Sequence, residues 1–195
     1  TYVSRGITAN PNRDYRVFVN SSADGITWGT PFVPTLVGDS TPVHVDRGDI
    51  AAVVAFGNNV GIMWNNTISD TNHTLHFAYR AATNTSSTDP WTVQSISVPG
   101  GADDHISIRS LQATGDGQVF AAIKTSTPLT DPITQTIALI GMVARDVNGT
   151  LSFHTYSRNT DKDTRPSLLI DEGDQANPND TKAYIFVSGK EGGSK

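Results

Sequence analysis

Ala102 to Ser126, ADDHISIRSLQATGDGQVFAAIKTS, is the stretch on which the fold turns. Two acids and a histidine lead into a short apolar run, a Gly-Asp-Gly turn follows, and a second apolar run returns. Ile106 and Ile108 alternate with polar residues, the period-two pattern of a strand with one covered face. Positive φ is cheap at glycine, so the Gly-Asp-Gly between the two runs reads as the turn of a β-hairpin.

The same plan occurs twice more. DRGDIAAVVAFGNNVGIMW from Asp46 and DTRPSLLIDEGDQANPNDTKAYIFVSG from Asp163 each show an acidic lead-in, an apolar strand, a turn and a second strand. Two further β-rich runs fit between each pair of starts: TLHFAYR (74–80) with WTVQSISV (91–98), and TIALIGMVAR (136–145) with LSFHTYS (151–157). No segment sustains a 3.6-residue apolar period, so the chain reads as all-β. Four strands in a repeat of nearly sixty residues predict the four-stranded antiparallel blades of a β-propeller-like fold. The expected layout is outer strands of a first blade in 1–45, a second blade in 46–102, a third in 103–162, inner strands of a further blade in 163–189, and a flexible tail in 190–195. Such rings take about four to eight blades. About three blade-equivalents therefore predict exposed blade edges, completed by identical subunits or by segments of a longer chain.

The totals limit the function classes. A net charge of -5 offers no footprint for nucleic acid or an anionic membrane, so neither is an expected partner. With no cysteine, disulfides and thiolate metal sites are excluded. No run approaches eighteen apolar residues, so no membrane span is expected. Asn-x-Ser/Thr triplets begin at Asn20, Asn65, Asn72, Asn84, Asn148 and Asn179, which points to an extracellular or cell-surface glycoprotein.

SSADGITW, Ser21 to Trp28, resembles an Asp-box, the Ser-x-Asp-x-Gly-x-Thr-Trp hairpin of sialidase-like BNR-repeat β-propellers. Ser21, Gly25, Thr27 and Trp28 sit on the pattern, while Ala23 holds the acid position and Asp24 comes one residue late. DDHISIRSLQATGDGQVFAAIKTS from Asp103, and TRPSLLID from Thr164 followed by AYIFVSG, are similar to inner hairpins of secreted BNR-type proteins, polysaccharide-lyase-like ones included. This resemblance implies a propeller whose blade-start loops converge on one face, bringing Asp46, Arg47, Asp103, Asp104, His105, Asp163 and Arg165 together.

A histidine with arginines in one mouth suits binding of an acidic sugar and transfer of a proton. The catalytic candidates are His105, Asp104, Arg109 and Arg165. Glu172 and Glu191 are the only glutamates, which argues against a full sialidase apparatus. Acids recurring at every blade start suit turn-capping better than catalysis, because structural residues repeat and catalytic ones need not. DEGDQANPND could hold Ca²⁺ through Asp171, Asp174 and Asp180, although it lacks the EF-hand order and reads first as a solvated loop. His73 and His76 would face opposite sides of a strand, so no shared metal is expected. The leading expectation is a non-catalytic structural, adhesive or self-assembling protein. The alternatives are a glycoside hydrolase or polysaccharide lyase, and a glycan-binding propeller with Trp64 or Tyr79 as stacking platform.

Overall fold

A computed structural model describes residues 2–5, 15–37, 44–45, 49–66, 74–98, 105–111, 117–125, 138–158, 163–174, 177 and 180–189. All regular structure among these residues is β, and no helix long and apolar enough to cross a membrane is present among them. The strands are β1 (Tyr2–Arg5), β2 (Tyr15–Phe18), β3 (Leu36–Val37), β4 (His44–Val45), β5 (Ala51–Phe56), β6 (Asn59–Asn66) and β7 (Thr74–Ala81). They continue as β8 (Trp91–Ser97), β9 (Ile106–Ser110), β10 (Val119–Lys124), β11 (Ala138–Arg145), β12 (Leu151–Arg158), β13 (Thr164–Asp171) and β14 (Lys182–Ser188).

Four sheets result. The first has the order β1-β2-β4, the second β3-β8-β7-β6-β5, the third β12-β11-β10-β9, and the fourth is the pair β13-β14. Within the second and third sheets, β5 to β8 and β9 to β12 run as antiparallel meanders. Turn chemistry sets both registers. Phe56 pairs with Asn59 across a two-residue loop whose first residue, Gly57, has φ 48°. Between β11 and β12, the Asp146 carboxylate accepts from the amides of Asn148 (2.9 Å) and Thr150 (2.7 Å), with Gly149 at φ 86°.

The second sheet is covered on both faces, and the alternation along β7 shows how. Leu75 and Phe77 enter a core with Val54, Phe56 and Met63, met from the third sheet by Ile108, Val119, Ala121, Ile123 and Val143. Ala78 turns the other way, into a core with Ile62, Trp64 and Trp91, met from the first sheet by Val17 and Val45. Polar ties reinforce the contact between the second and third sheets. Ser110 Oγ donates to Ala55 O at 2.6 Å, and Gln94 Nε2 donates to Gly149 O at 2.6 Å. Arg145 lies over the rings of Phe56 and Tyr79, 5.4 and 5.0 Å from their centroids, while its Nε donates to Gln94 Oε1 at 3.1 Å.

One edge strand of each sheet neighbours that of the next: β1 packs on β5, β5 on β9, and β9 on β13. Ser107 Oγ of β9 accepts from the Leu168 amide of β13 at 3.0 Å. Pro166 and Leu168 are buried against the third sheet, whereas Leu169, Tyr184 and Phe186 stand exposed on the opposite side of the fourth.

One segment links the first two sheets: β3 runs parallel to β8, with Leu36 beside Trp91 and the Trp91 amide donating to Thr35 O at 2.9 Å. Pro31 and Pro34 flank the bridge at Phe32 and bring no amide donor to a ladder, so the chain leaves the first sheet after that single bridge.

Two glycines set the spacing between strands and aromatic rings. A Cβ on Gly61 would lie 2.6 Å from the Phe77 ring, and one on Gly141 would run into the Phe153 ring. Gly61→Ala and Gly141→Ala are each expected to lower unfolding free energy by about 1–3 kcal/mol through overpacking. Urea titration followed by tryptophan fluorescence checks this, and wild-type midpoints would contradict it.

Candidate functional site

SSADGITW forms an exposed loop closed at its base by the bridge between Val19 and Phe32 and by the Gly29 amide donating to Ser21 O at 3.0 Å. The acid that organises it is Asp24. Its Oδ1 accepts from the amides of Ile26 (2.8 Å) and Thr27 (2.7 Å) and from Ser22 Oγ (2.9 Å). Ser22 Oγ in turn accepts from the amide of Gly25, which holds φ 75°. Ser22, one residue after the Ser21 of the expected pattern, is thus the serine that pairs with the late acid. Trp28 is 61% exposed and Ile26 84%, so the motif's tryptophan is not a core residue. The amide donors of Thr27 and Ile26 hold the Asp24 carboxyl well below the usual aspartate range.

At the start of β5, Asp49 and Asn65 are buried side by side. Asn65 Nδ2 donates to Asp49 Oδ1 at 3.0 Å, and the Ile50 amide donates to Asn65 Oδ1 at 3.1 Å. The side chains therefore join the lead-in of β5 to the end of β6. Asp49 was not singled out in the sequence, although an acid directly before an apolar run is a strand-capping signal. Asn65 was expected as a glycan acceptor. It is 1% exposed, and its side-chain amide donates to Asp49.

His105 is half-buried immediately before β9, and its carbonyl accepts from the Lys124 amide at 3.2 Å. Arg109, on β9, is exposed and its Nη1 donates to the adjacent Ile108 carbonyl at 2.7 Å. Arg165 is exposed on β13 with φ 52°, the one non-glycine residue of positive φ among those described. Asp163 is half-buried just before it. Asp46, Arg47, Asp103 and Asp104 lie outside the described residues. Among the described catalytic candidates, no hydrogen bond or ion pair links His105, Arg109 and Arg165 to one another.

The remaining expectations are placed as follows. The Gly173 amide donates to Asp171 Oδ1 at 3.1 Å. Asp180 accepts from the Asp174 amide at 3.0 Å and from Lys182 Nζ at 2.9 Å, contacts that lower its carboxyl and raise the lysine. No group of three metal-ligating side chains occurs among the described residues. Trp64, expected as a possible stacking platform, is 2% exposed and stacks on His76. Tyr79 is half-buried beneath Arg145 and beside Phe56 and Phe77. Asn84 and Asn148 are exposed in turns, Asn20 is half-buried, and Asn72 and Asn179 lie outside the described residues.

Arg80 is a functional-looking group that sequence reasoning missed. It is buried between Trp91 and Phe32, 4.8 and 5.4 Å from their centroids, with Nη1 donating to Ser86 O at 2.6 Å. Burial pushes its guanidinium down while nearby Asp89 opposes the shift. It fastens the 82–90 loop to the outer strands, with alternation along TLHFAYR as the only signal of its inward side.

Comparison with known protein families, curated proteins and solved structures found no match. Functional inference therefore rests on the chain's own residues.

Because the Asp24 pKa is depressed by folding, its turn contributes stability above the ordinary aspartate value of about 3.9 and loses it as pH falls through the folded value. Carboxyl-carbon NMR is expected to show Asp24 still ionised after ordinary aspartates have titrated. Asp24→Ala is expected to speed amide exchange at Ile26 and Thr27. Titration of Asp24 near pH 3.9 would contradict the assignment.

Proposed function

We propose that this chain is part of an extracellular, propeller-like glycoprotein of the BNR-repeat type with a non-catalytic, self-assembling structural or adhesive role. The observation that carries the reading is the fourth sheet. One side packs on the third sheet, while the other leaves Leu169, Tyr184 and Phe186 between 43% and 57% exposed. Large apolar side chains gathered on one face of a soluble domain mark a contact surface. The blade arrangement is supported by two four-stranded meanders and by edge strands that neighbour one another in chain order.

The polar groups support the same reading. Asp24, Asp146, Asp171 and Asp180 accept amide bonds from their own turns, and Asp49 is locked to Asn65. These acids serve as braces, in keeping with their recurrence at turns and strand lead-ins. Exposed Asn84 and Asn148 suit a glycosylated surface.

Expression through a secretory route is expected to give glycosidase-sensitive mass at Asn84 and Asn148 and none at Asn65, read by peptide mass spectrometry. Light scattering is expected to show self-association. Turnover of a sialoside or a uronic-acid polysaccharide that disappears in His105→Ala would overturn the non-catalytic reading.

A further inference from the structure

Two neighbouring donors in the outer part of the second sheet have no acceptor. Among the described residues, Arg80 Nε and Trp91 Nε1 are buried without a hydrogen-bond partner, in side chains of residues that are 7% and 0% exposed. Tyr79 of β7 pairs with Thr92 of β8, so Arg80 and Trp91 stand one step further along the same two strands. The guanidinium lies 4.8 Å from the Trp91 ring centroid and 5.4 Å from that of Phe32. A buried donor left unmet is costly, and two in contacting side chains call for an acceptor that serves both.

The chemistry of the surroundings narrows what that acceptor is. Indole and guanidinium nitrogens only donate. A water accepting from both would still have two hydrogens to place, and the enclosing rings of Phe32 and Trp91 offer it no lone pairs. Ser86 O already accepts from Arg80 Nη1 at 2.6 Å. Arg80 is also a cation without an ion pair among the described residues, because Asp89 acts on it only through longer-range attraction. The Asp89 carboxylate is instead taken up by the Ser86 amide, which donates to its Oδ2 at 2.9 Å. Burial disfavours the charged guanidinium, a cost that an adjacent negative charge offsets.

We propose that Arg80 Nε and Trp91 Nε1 form a binding site for one small monovalent anion of the halide class. Such an ion accepts from both donors, supplies the charge that the guanidinium lacks, and brings no hydrogen that needs a partner. Enclosure between two rings and the 82–90 loop favours a monatomic ion over a phosphate or a sugar carboxylate. Since Nη1 of the same guanidinium holds Ser86 O, the occupied site ties that loop to β7 and β8.

Chloride is the probe. Proton–nitrogen correlation NMR of the chain is recorded while sodium chloride replaces sodium gluconate at constant ionic strength. The Trp91 Nε1–H and Arg80 Nε–H signals are expected to move together on one saturable curve, while the Nε1–H of exposed Trp28 stays in place. Thermal unfolding is expected to rise by a few degrees over the same exchange. Trp91→Phe keeps the ring and removes one donor, and is expected to weaken chloride about tenfold, read at Arg80 Nε–H. Arg80→Met is expected to abolish the rise in unfolding temperature. Should either variant misfold, the two wild-type signals decide the matter. Signals that stay still, or that drift without saturation, would overturn the anion site and assign the donors to water. Undiminished affinity in a folded Trp91→Phe chain would overturn it equally.

Discussion

The contact between the second and third sheets is the constraint on which the structure depends. Phe56 and Phe77 from one side meet Ile123 and Val143 from the other, and all four are at or near complete burial. Ring and strand can approach so closely only because Gly61 lies under Phe77 and Gly141 under Phe153. The Arg145 guanidinium crosses the same seam, over Phe56 and Tyr79 and bonded to Gln94. A charged group is tolerated there because its donors find carbonyl acceptors, Gly117 O among them, and its flat faces meet aromatic π-clouds. With that seam in place, the second sheet's other face is free to receive Val17 and Val45, and β9 is positioned to receive β13.

Acidic residues complete this architecture at its turns. Asp24 and Asp146, in unrelated loops, solve one problem in one way: a carboxylate oxygen accepts two amides that the turn leaves without a ladder partner. Asp49 needs a different solution because it is buried, and Asn65 supplies the donor that its carboxylate requires. Among the described residues, Asp24, Asp146, Asp171 and Asp180 accept from their own backbone, and Leu169, Tyr184 and Phe186 share one exposed face of β13 and β14, while Ile26, Trp28, Val37, Val53, Val147 and Tyr156 are exposed elsewhere. That division between internal polar bracing and an outward apolar face is the basis for proposing an assembly role.

Much of the fold was legible in sequence, for a physical reason. Runs such as TLHFAYR and SLLID alternate with period two, and Gly57 and Gly149 mark turns that require positive φ, so strands and hairpins follow from local chemistry. The parallel pairing of β3 with β8 was not legible, because two residues joined across more than fifty leave no periodic trace. Sites were harder. Asn65 carries an acceptor triplet that any surface asparagine would share, and only the pairing of β5 with β6 shows that it faces inward. Ser22 and Asp24 could not be placed from a pattern offset by one residue; the hydrogen bonds themselves fix which serine serves the turn. Arg80 likewise resembled a surface cation until Trp91 and Phe32 enclosed it.

The stacking order of the sheets is the central claim, and the absence of cysteine makes it directly measurable. Ser110 Oγ reaches Ala55 O, and Ser107 Oγ accepts from the Leu168 amide, so these pairs bring β5 to β9 and β9 to β13. Disulfides close across Cα separations of about 4.4–6.8 Å. Paired cysteine substitutions at 107 and 168 should oxidise within one molecule, while a pair at 55 and 168 should remain reduced. Failure of the first pair to close, or equal closure of the second, would contradict the stacked order.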